Sequence, residues 1–144
     1  MATTTIVNNA RRDFLNGDID FGADTFKIAL YNGSSHGVNT GAYTTVTEAS
    51  GTGYTAGGIN MVGVSITTDT SNNVAFIDWS TDPSWATSTI TATDCLIYDD
   101  TVTTPTANVA VYVGDFAGSR SSSAGTFSVV LPAAAASTAI IRLA

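Results

Sequence analysis

The pentapeptide Gly33-Ser34-Ser35-His36-Gly37 spells G-x-S-x-G, the pattern of a serine nucleophile on a sharp strand-to-helix elbow. Such a site performs acyl transfer. It needs a histidine to take the serine proton and a third group to hold that histidine. His36 is the single histidine of the chain and lies inside the motif, one residue from the serine it would serve. The residues that follow, Val38-Asn39-Thr40-Gly41, do not read as a helix. With no independent scaffold for the base and no orienting partner in view, the motif reads as a glycine loop. Asp18, Asp20 and Asp24 place hard oxygen ligands close together, as calcium requires, but the glycine and glutamate of an EF-hand loop are missing. The plainer expectation is an acidic connection whose carboxylates accept backbone N–H groups. Asp78, Asp82, Asp94, Asp99, Asp100 and Asp115 offer carboxylate pairs of the kind that flank a scissile sugar, with Trp79 and Trp85 nearby as a platform. The competing reading has Asp78 solvated at a strand end and the tryptophans completing the core and a loop. Cys95 is alone, so it forms neither an intrachain disulfide nor a zinc cluster, and its apolar neighbours point to a buried thiol. Asn32-Gly33-Ser34 has the form of a glycosylation sequon but reads first as a turn. No catalytic residue, metal or cofactor is assigned.

The elements that would carry these residues are strands. The chain has 144 residues, the size of one domain. Only 12% are charged, about half the usual share, and Thr, Ser, Asn and Gly take over the solubilising role. Lys27 and Glu48 are the only residues of their types, so solvated helical faces are hard to build. After Gly17 the apolar period is 2. In Thr25–Tyr31, Phe26, Ile28 and Leu30 share one face with Thr25 and Lys27 opposite, a half-buried strand; Val62, Val64 and Ile66 alternate with Gly63 and Ser65. Further runs are expected at Asn73–Trp79, Thr87–Tyr98, Asn108–Phe116, Thr126–Leu131 and Ala139–Leu143. Asn32-Gly33, Gly57-Gly58, Asn72-Asn73, Asp82-Pro83 and the Gly118–Gly125 stretch separate them, and Asn32–Thr44 and Gly118–Gly125 read as mobile loops. The expected fold is all-β: an antiparallel β-sandwich, jelly-roll-like, with one short N-terminal helix. Residues 1–16 form an N-terminal arm and short helix, and residues 17–144 the single sandwich domain.

The helix is expected over Ile6–Asn16, capped by Thr4 or Thr5 and stopped by Gly17. Ile6, Val7, Ala10, Phe14 and Leu15 share its apolar face, with Asn8, Asn9, Arg12 and Asp13 turned away. That face either closes the β core of its own chain or serves as a partner-contact arm reaching a neighbouring subunit.

Charge limits the partners. The formal net charge is −7, and Arg11, Arg12, Lys27, Arg120 and Arg142 form no patch. Nucleic acid and acidic membrane surfaces are therefore not expected partners. The start of the chain lacks the basic and apolar regions of a secretory signal, and no stretch is long and apolar enough to span a bilayer, so the protein is expected to be made and folded as a soluble species.

Three runs carry a family resemblance: Asp24–Tyr31, Ala42-Tyr43-Thr44-Thr45, and Glu48-Ala49-Ser50-Gly51-Thr52-Gly53-Tyr54-Thr55-Ala56-Gly57-Gly58. Together with Gly125-Thr126-Phe127-Ser128 and Ala139–Leu143 they resemble a group of small bacteriophage virion proteins found beside head and tail genes. These resemble capsid cement, or decoration, proteins. The resemblance implies a β-sandwich module on the head exterior of the virion, with the major capsid protein as partner and a homo-oligomeric state. A tail or baseplate component that touches host glycans is the alternative, and a small glycan-acting enzyme ranks behind both. The resemblance carries no catalytic residues.

Overall fold

The computed structural model describes residues 1–2 and 4–144. It is an all-β structure with antiparallel pairing and one short helix. The elements in chain order are β1 (Thr5–Ile6), α1 (Asn8–Asn16), β2 (Phe26–Tyr31), β3 (Ile59–Asn60), β4 (Val64–Asp69), β5 (Val74–Trp79), β6 (Ser84–Ser88), β7 (Thr91–Asp99), β8 (Ala110–Ser121), β9 (Gly125–Ser128) and β10 (Ile141–Leu143). Among the described residues they form a five-stranded sheet, β1-β8-β7-β2-β3, a three-stranded sheet, β10-β5-β4, and a two-stranded sheet, β6-β9. A jelly roll in its strict form divides eight strands between two sheets; here the division is five, three and two.

The two-stranded sheet continues the large one around a corner. β6 pairs β9 from Ser84↔Ser128 to Ser88↔Gly125, and β7 pairs β8 from Thr91↔Ser121 onward. One antiparallel ribbon thus runs from Ser84 to Asp99 against Ala110 to Ser128. It bends where Thr89-Ile90 and Ser122–Ala124 interrupt it. Changing sheets at a bend or bulge is a common way to close a β core. The expected single strand Thr87–Tyr98 corresponds to β7 and the end of β6, broken at this bend. Gly118–Ser121, expected in a loop, belongs to β8.

β2 and β7 are buried on both faces over most of their length, so the sheet is covered on each side there, and β2, expected to be half-buried, is more enclosed than its alternation implies. Ile28, Ala29, Leu30 and Tyr31 face Ile97, Leu96, Cys95 and Asp94 across the pair, and all are buried. Val109, Val111 and Val113 point inward as their alternation predicts. A second cluster joins the sheets: Phe21 stacks on Phe26 at 4.8 Å, and both meet Trp79 of β5 edge-on. Phe14 of the helix joins it through Phe21 at 5.2 Å.

The N-terminal segment departs from its expected form in three ways. Thr5 and Ile6 are not helical; they pair with Val113 and Tyr112 of β8. The helix starts two residues later, with Val7 at the N-cap and no side-chain cap, so neither Thr4 nor Thr5 has that role. Gly17 does end it in the left-handed region, at φ 76°. With the start displaced, Val7, Ala10 and Asp13 are buried, while Leu15 is 90% exposed. Leu15 lies about 140° around the helix from Ala10, outside the buried arc. Asp13, expected to face away, instead receives the Arg12 Nε at 2.6 Å while fully buried. Val7 and Ala10 pack within their own chain, so of the five arm residues Leu15 is the most outward-facing.

Candidate functional site

The Gly33–Gly37 segment leaves the end of β2 and does not open a helix. It nevertheless meets a partner that sequence spacing did not reveal. Asp94 of β7, paired with Tyr31 of β2, is fully buried. Its Oδ2 accepts the Ser34 hydroxyl at 2.5 Å and lies 3.2 Å from His36 Nδ1. Its Oδ1 accepts the Thr93 hydroxyl at 2.8 Å. Burial pushes the Asp94 carboxyl up, but the donors His36, Ser34 and Thr93 outweigh it and hold it below the usual carboxylate range. The imidazole stands edge-on to Tyr31 at 4.3 Å. His36 therefore has an orienting carboxylate, contrary to expectation.

The order of the trio matters for chemistry. In a serine hydrolase the imidazole stands between serine and carboxylate. Here the carboxylate stands between Ser34 and His36, and the Ser34 hydroxyl donates to it. Ser34 is buried, whereas Ser35, the serine at the elbow position, is exposed. The arrangement ties the loop after β2 to β7. Beside it lies an open cleft of ≈ 660 Å³, walled by Ser35, His36, Asn39, Thr40 and Thr44 and by Thr4 and Thr5 of the N-terminal segment.

A second centre organises the glycine-rich block. The Glu48 carboxylate accepts Tyr43 OH at 2.7 Å, Tyr54 OH at 2.8 Å and the Gly57 N–H at 2.6 Å. Tyr54 OH in turn accepts the Leu30 N–H at 3.0 Å, and Tyr98 OH donates to Gly57 O at 2.9 Å. Burial first, then Glu48, raises the Tyr43 phenol to about 12. The run Glu48–Gly58 is thus a clamp that seats one loop over β2 and β7.

The aspartates expected before the first strand make turn contacts. Asp20 Oδ1 accepts the Gly22 N–H at 2.8 Å, and Asp24 Oδ2 accepts the Asp20 N–H at 2.6 Å. No group of three or more His, Cys, Asp or Glu side chains among the described residues could hold a metal ion. Asp24 also abuts Asp99, whose Oδ1 accepts the N–H groups of Thr101 and Val102 at 2.8 and 3.1 Å. Burial is the main cause that lifts the Asp99 carboxyl to about 6; the two N–H donors oppose it, and the Asp24 charge and hydrogen bond add to it. Because the folded state raises this pKa above the unfolded value, Asp99 favours folding at low pH. That advantage is lost as pH rises from about 4 through about 6. Asp99→Asn keeps the acceptor for Thr101 and Val102 and offers Asp24 an N–H. Urea unfolding should find the variant close to the parent near pH 4 and more stable than it by on the order of 2 kcal/mol near pH 8. Equal differences at both pH values would refute the assignment.

The remaining candidates are separated or buried. Asp78, expected to be solvated, is buried, and burial raises its pKa. Its Oδ1 accepts the Trp79 N–H at 2.8 Å. Trp79 packs on Phe21 and Phe26, and Trp85 on Tyr54 and Phe127, so both rings lie inside the protein and present no flat face to a sugar. Cys95 is buried, and burial raises its thiol to about 12.

The outer surface holds the signal that sequence reading missed. Val62, Val64 and Ile66 alternate as a half-buried strand should, yet all three are exposed. The alternation is real, but no other described residues cover that face enough to bury it. No helix among the described residues is long and apolar enough to cross a membrane. The class defined by these features is an antiparallel β protein whose clustered polar groups tie its own loops. No family model, curated protein or solved structure matches the chain.

Proposed function

We propose that the chain is a virion structural protein, a capsid cement module that binds and stabilises the assembled head from outside. The observation that carries this reading is its surface. Leu15, Val46, Val62, Ile66, Val130 and Leu143 are exposed on a chain in which 12% of residues are charged. Such a surface packs against another protein without desolvating many ions. The carboxylates that gather several donors, Glu48, Asp94 and Asp99, serve loops of the fold. A head also multiplies weak contacts, because a subunit that touches several capsid proteins gains from effective concentration. The major capsid protein is the partner on this reading, and the net charge of −7 suits an exterior site remote from packaged nucleic acid.

The hydroxyl-lined cleft beside His36 favours a second reading, a tail or baseplate component that touches a host glycan. The experiment that separates the two adds purified protein to undecorated heads and to isolated tails of the parent phage. Saturable binding to heads, with heads then resisting heat or chelator, is the expected result. Binding to tails alone would replace the first reading with the second, and binding to neither would remove both.

A further inference from the structure

The sheets of this protein have edges of two kinds. The five-stranded sheet ends in β1 and β3, each two residues long. One edge of the three-stranded sheet is β10, three residues long and bearing Arg142. Short strands and charges are the usual devices that keep sheet edges from pairing with other chains. β4, the opposite edge, is not short and is uncharged until its last residue. It runs six residues, Val64-Ser-Ile-Thr-Thr-Asp69, in unbroken register with β5. It contains no lysine, proline or bulge, and its one charge is at its end.

Its side chains add to the exposure. The register puts Val64, Ile66 and Thr68 on the face that also bears Trp79, Ile77, Ala75, Ile141 and Leu143. Trp79 and Ile141 are buried at one end of that face. Elsewhere the face is open: Ile66 on β4 is 62% exposed, and Leu143 on the opposite edge strand, β10, is 61% exposed.

We infer that β4 pairs antiparallel with β4 of a second copy, about a two-fold axis through Ile66. This arrangement satisfies several constraints together. A two-fold axis perpendicular to the sheet keeps the apolar faces of both copies on the same side, so pairing must join residues of equal parity. With Ile66 on the axis, Ile66 opposes its own counterpart and Val64 opposes Thr68. The result is one six-stranded sheet with an apolar face continuous from Leu143 of one copy to that of the other. Charge permits it. Asp69 falls opposite Gly63, so the two Asp69 carboxylates stand at opposite ends of the seam, about 20 Å apart and beyond the screening length of about 8 Å at physiological salt. The net charge of −7 is thus kept out of the contact. A foreign strand would need its own matching pattern, whereas a second copy has it by symmetry.

The contact is small. Six residues span about 20 Å, and a standard interface covers about 800 Å² on each partner. The dimer is therefore in fast, concentration-dependent exchange with monomer, with a dissociation constant in roughly the micromolar range. This inference concerns the isolated chain, so it can fail while head binding holds, and the reverse.

Sedimentation equilibrium of the full chain from roughly 1 μM to 1 mM tests it. The expected result is reversible monomer–dimer exchange in the parent and a loss of affinity of at least tenfold in Ile66→Lys. Ile66 is exposed, so that variant should keep the parent's circular dichroism and melting point. Val46→Lys, an exposed apolar residue outside β4, should dimerise like the parent. A parent that stays monomeric throughout, or an Ile66→Lys variant that dimerises like the parent, overturns the proposal. If Ile66→Lys does not fold, Ile66→Thr, which keeps a β-branched side chain, takes its place with the same two outcomes.

Discussion

Gly58→Ala should lose on the order of 4 kcal/mol of stability in urea unfolding, a large part of what holds a domain of this size together. Gly58 sits at φ 73°, and a Cβ there would collide with the carbonyl oxygen and carbon of Ile28 and the Cα of Ala29. Those atoms are backbone. They belong to β2, which is held by β7 on one side and β3 on the other, so they cannot swing aside as a flexible side chain would. The added methyl must either push the Glu48–Gly58 loop off the sheet or break the Ile28↔Ile59 pairing. Gly17→Ala is the matched control. It has almost the same φ, 76°, but open space around it, so only the backbone strain of about 1 kcal/mol remains. Similar losses in the two variants would show that the close approach of Gly58 to β2 is unimportant.

Glu48→Ala should cost roughly 3 kcal/mol by the same measurement, because three donors lose one acceptor together. Tyr43 OH, Tyr54 OH and the Gly57 N–H all converge on this carboxylate. Glu48→Gln should cost about 1 kcal/mol. Its carbonyl can still receive Tyr54 and Gly57, and the Tyr43 hydroxyl can rotate to accept from the amide. If alanine and glutamine are equally damaging, charge and not acceptor count governs the clamp. If neither matters, the clamp does not contribute to stability.

The parts of the fold that were legible beforehand are those whose signal is local. β2, β7 and β8 alternate cleanly through Phe26, Ile28 and Leu30, through Leu96 and Tyr98, and through Val109, Val111 and Val113. Their apolar faces are buried as alternation requires. Gly17 was legible as a helix stop because a left-handed residue is a one-position requirement. Leu15 and Asp13 were misplaced because a two-residue error in the helix start rotates the whole apolar arc. Alternation also cannot say whether a second layer lies over a strand, which is why Val64 and Ile66 of β4 looked half-buried. The candidate site was the least legible part. Asp94 is 58 residues from His36 in the chain, and only the pairing of β2 with β7 brings them together. An aspartate on an apolar strand was the sole available hint, and it was shared with Asp78 and Asp99.

The order in which strands pair has a consequence during synthesis. β1 pairs with β8, β2 with β7, and β5 with β10. Thr5 therefore has no strand partner until Val113 has left the ribosome, and Phe26 waits for Asp99. Meanwhile the nascent chain carries Ile28, Leu30, Phe76 and Trp79 uncovered, with only the two-residue β2–β3 pairing and then the β4–β5 hairpin able to close early. Loop closures of this length place folding in the slow, millisecond-to-second class of β proteins. Chaperone demand on this chain thus falls mainly between the emergence of β2 and that of β8, and the sparse charge in that stretch leaves few gatekeepers against aggregation.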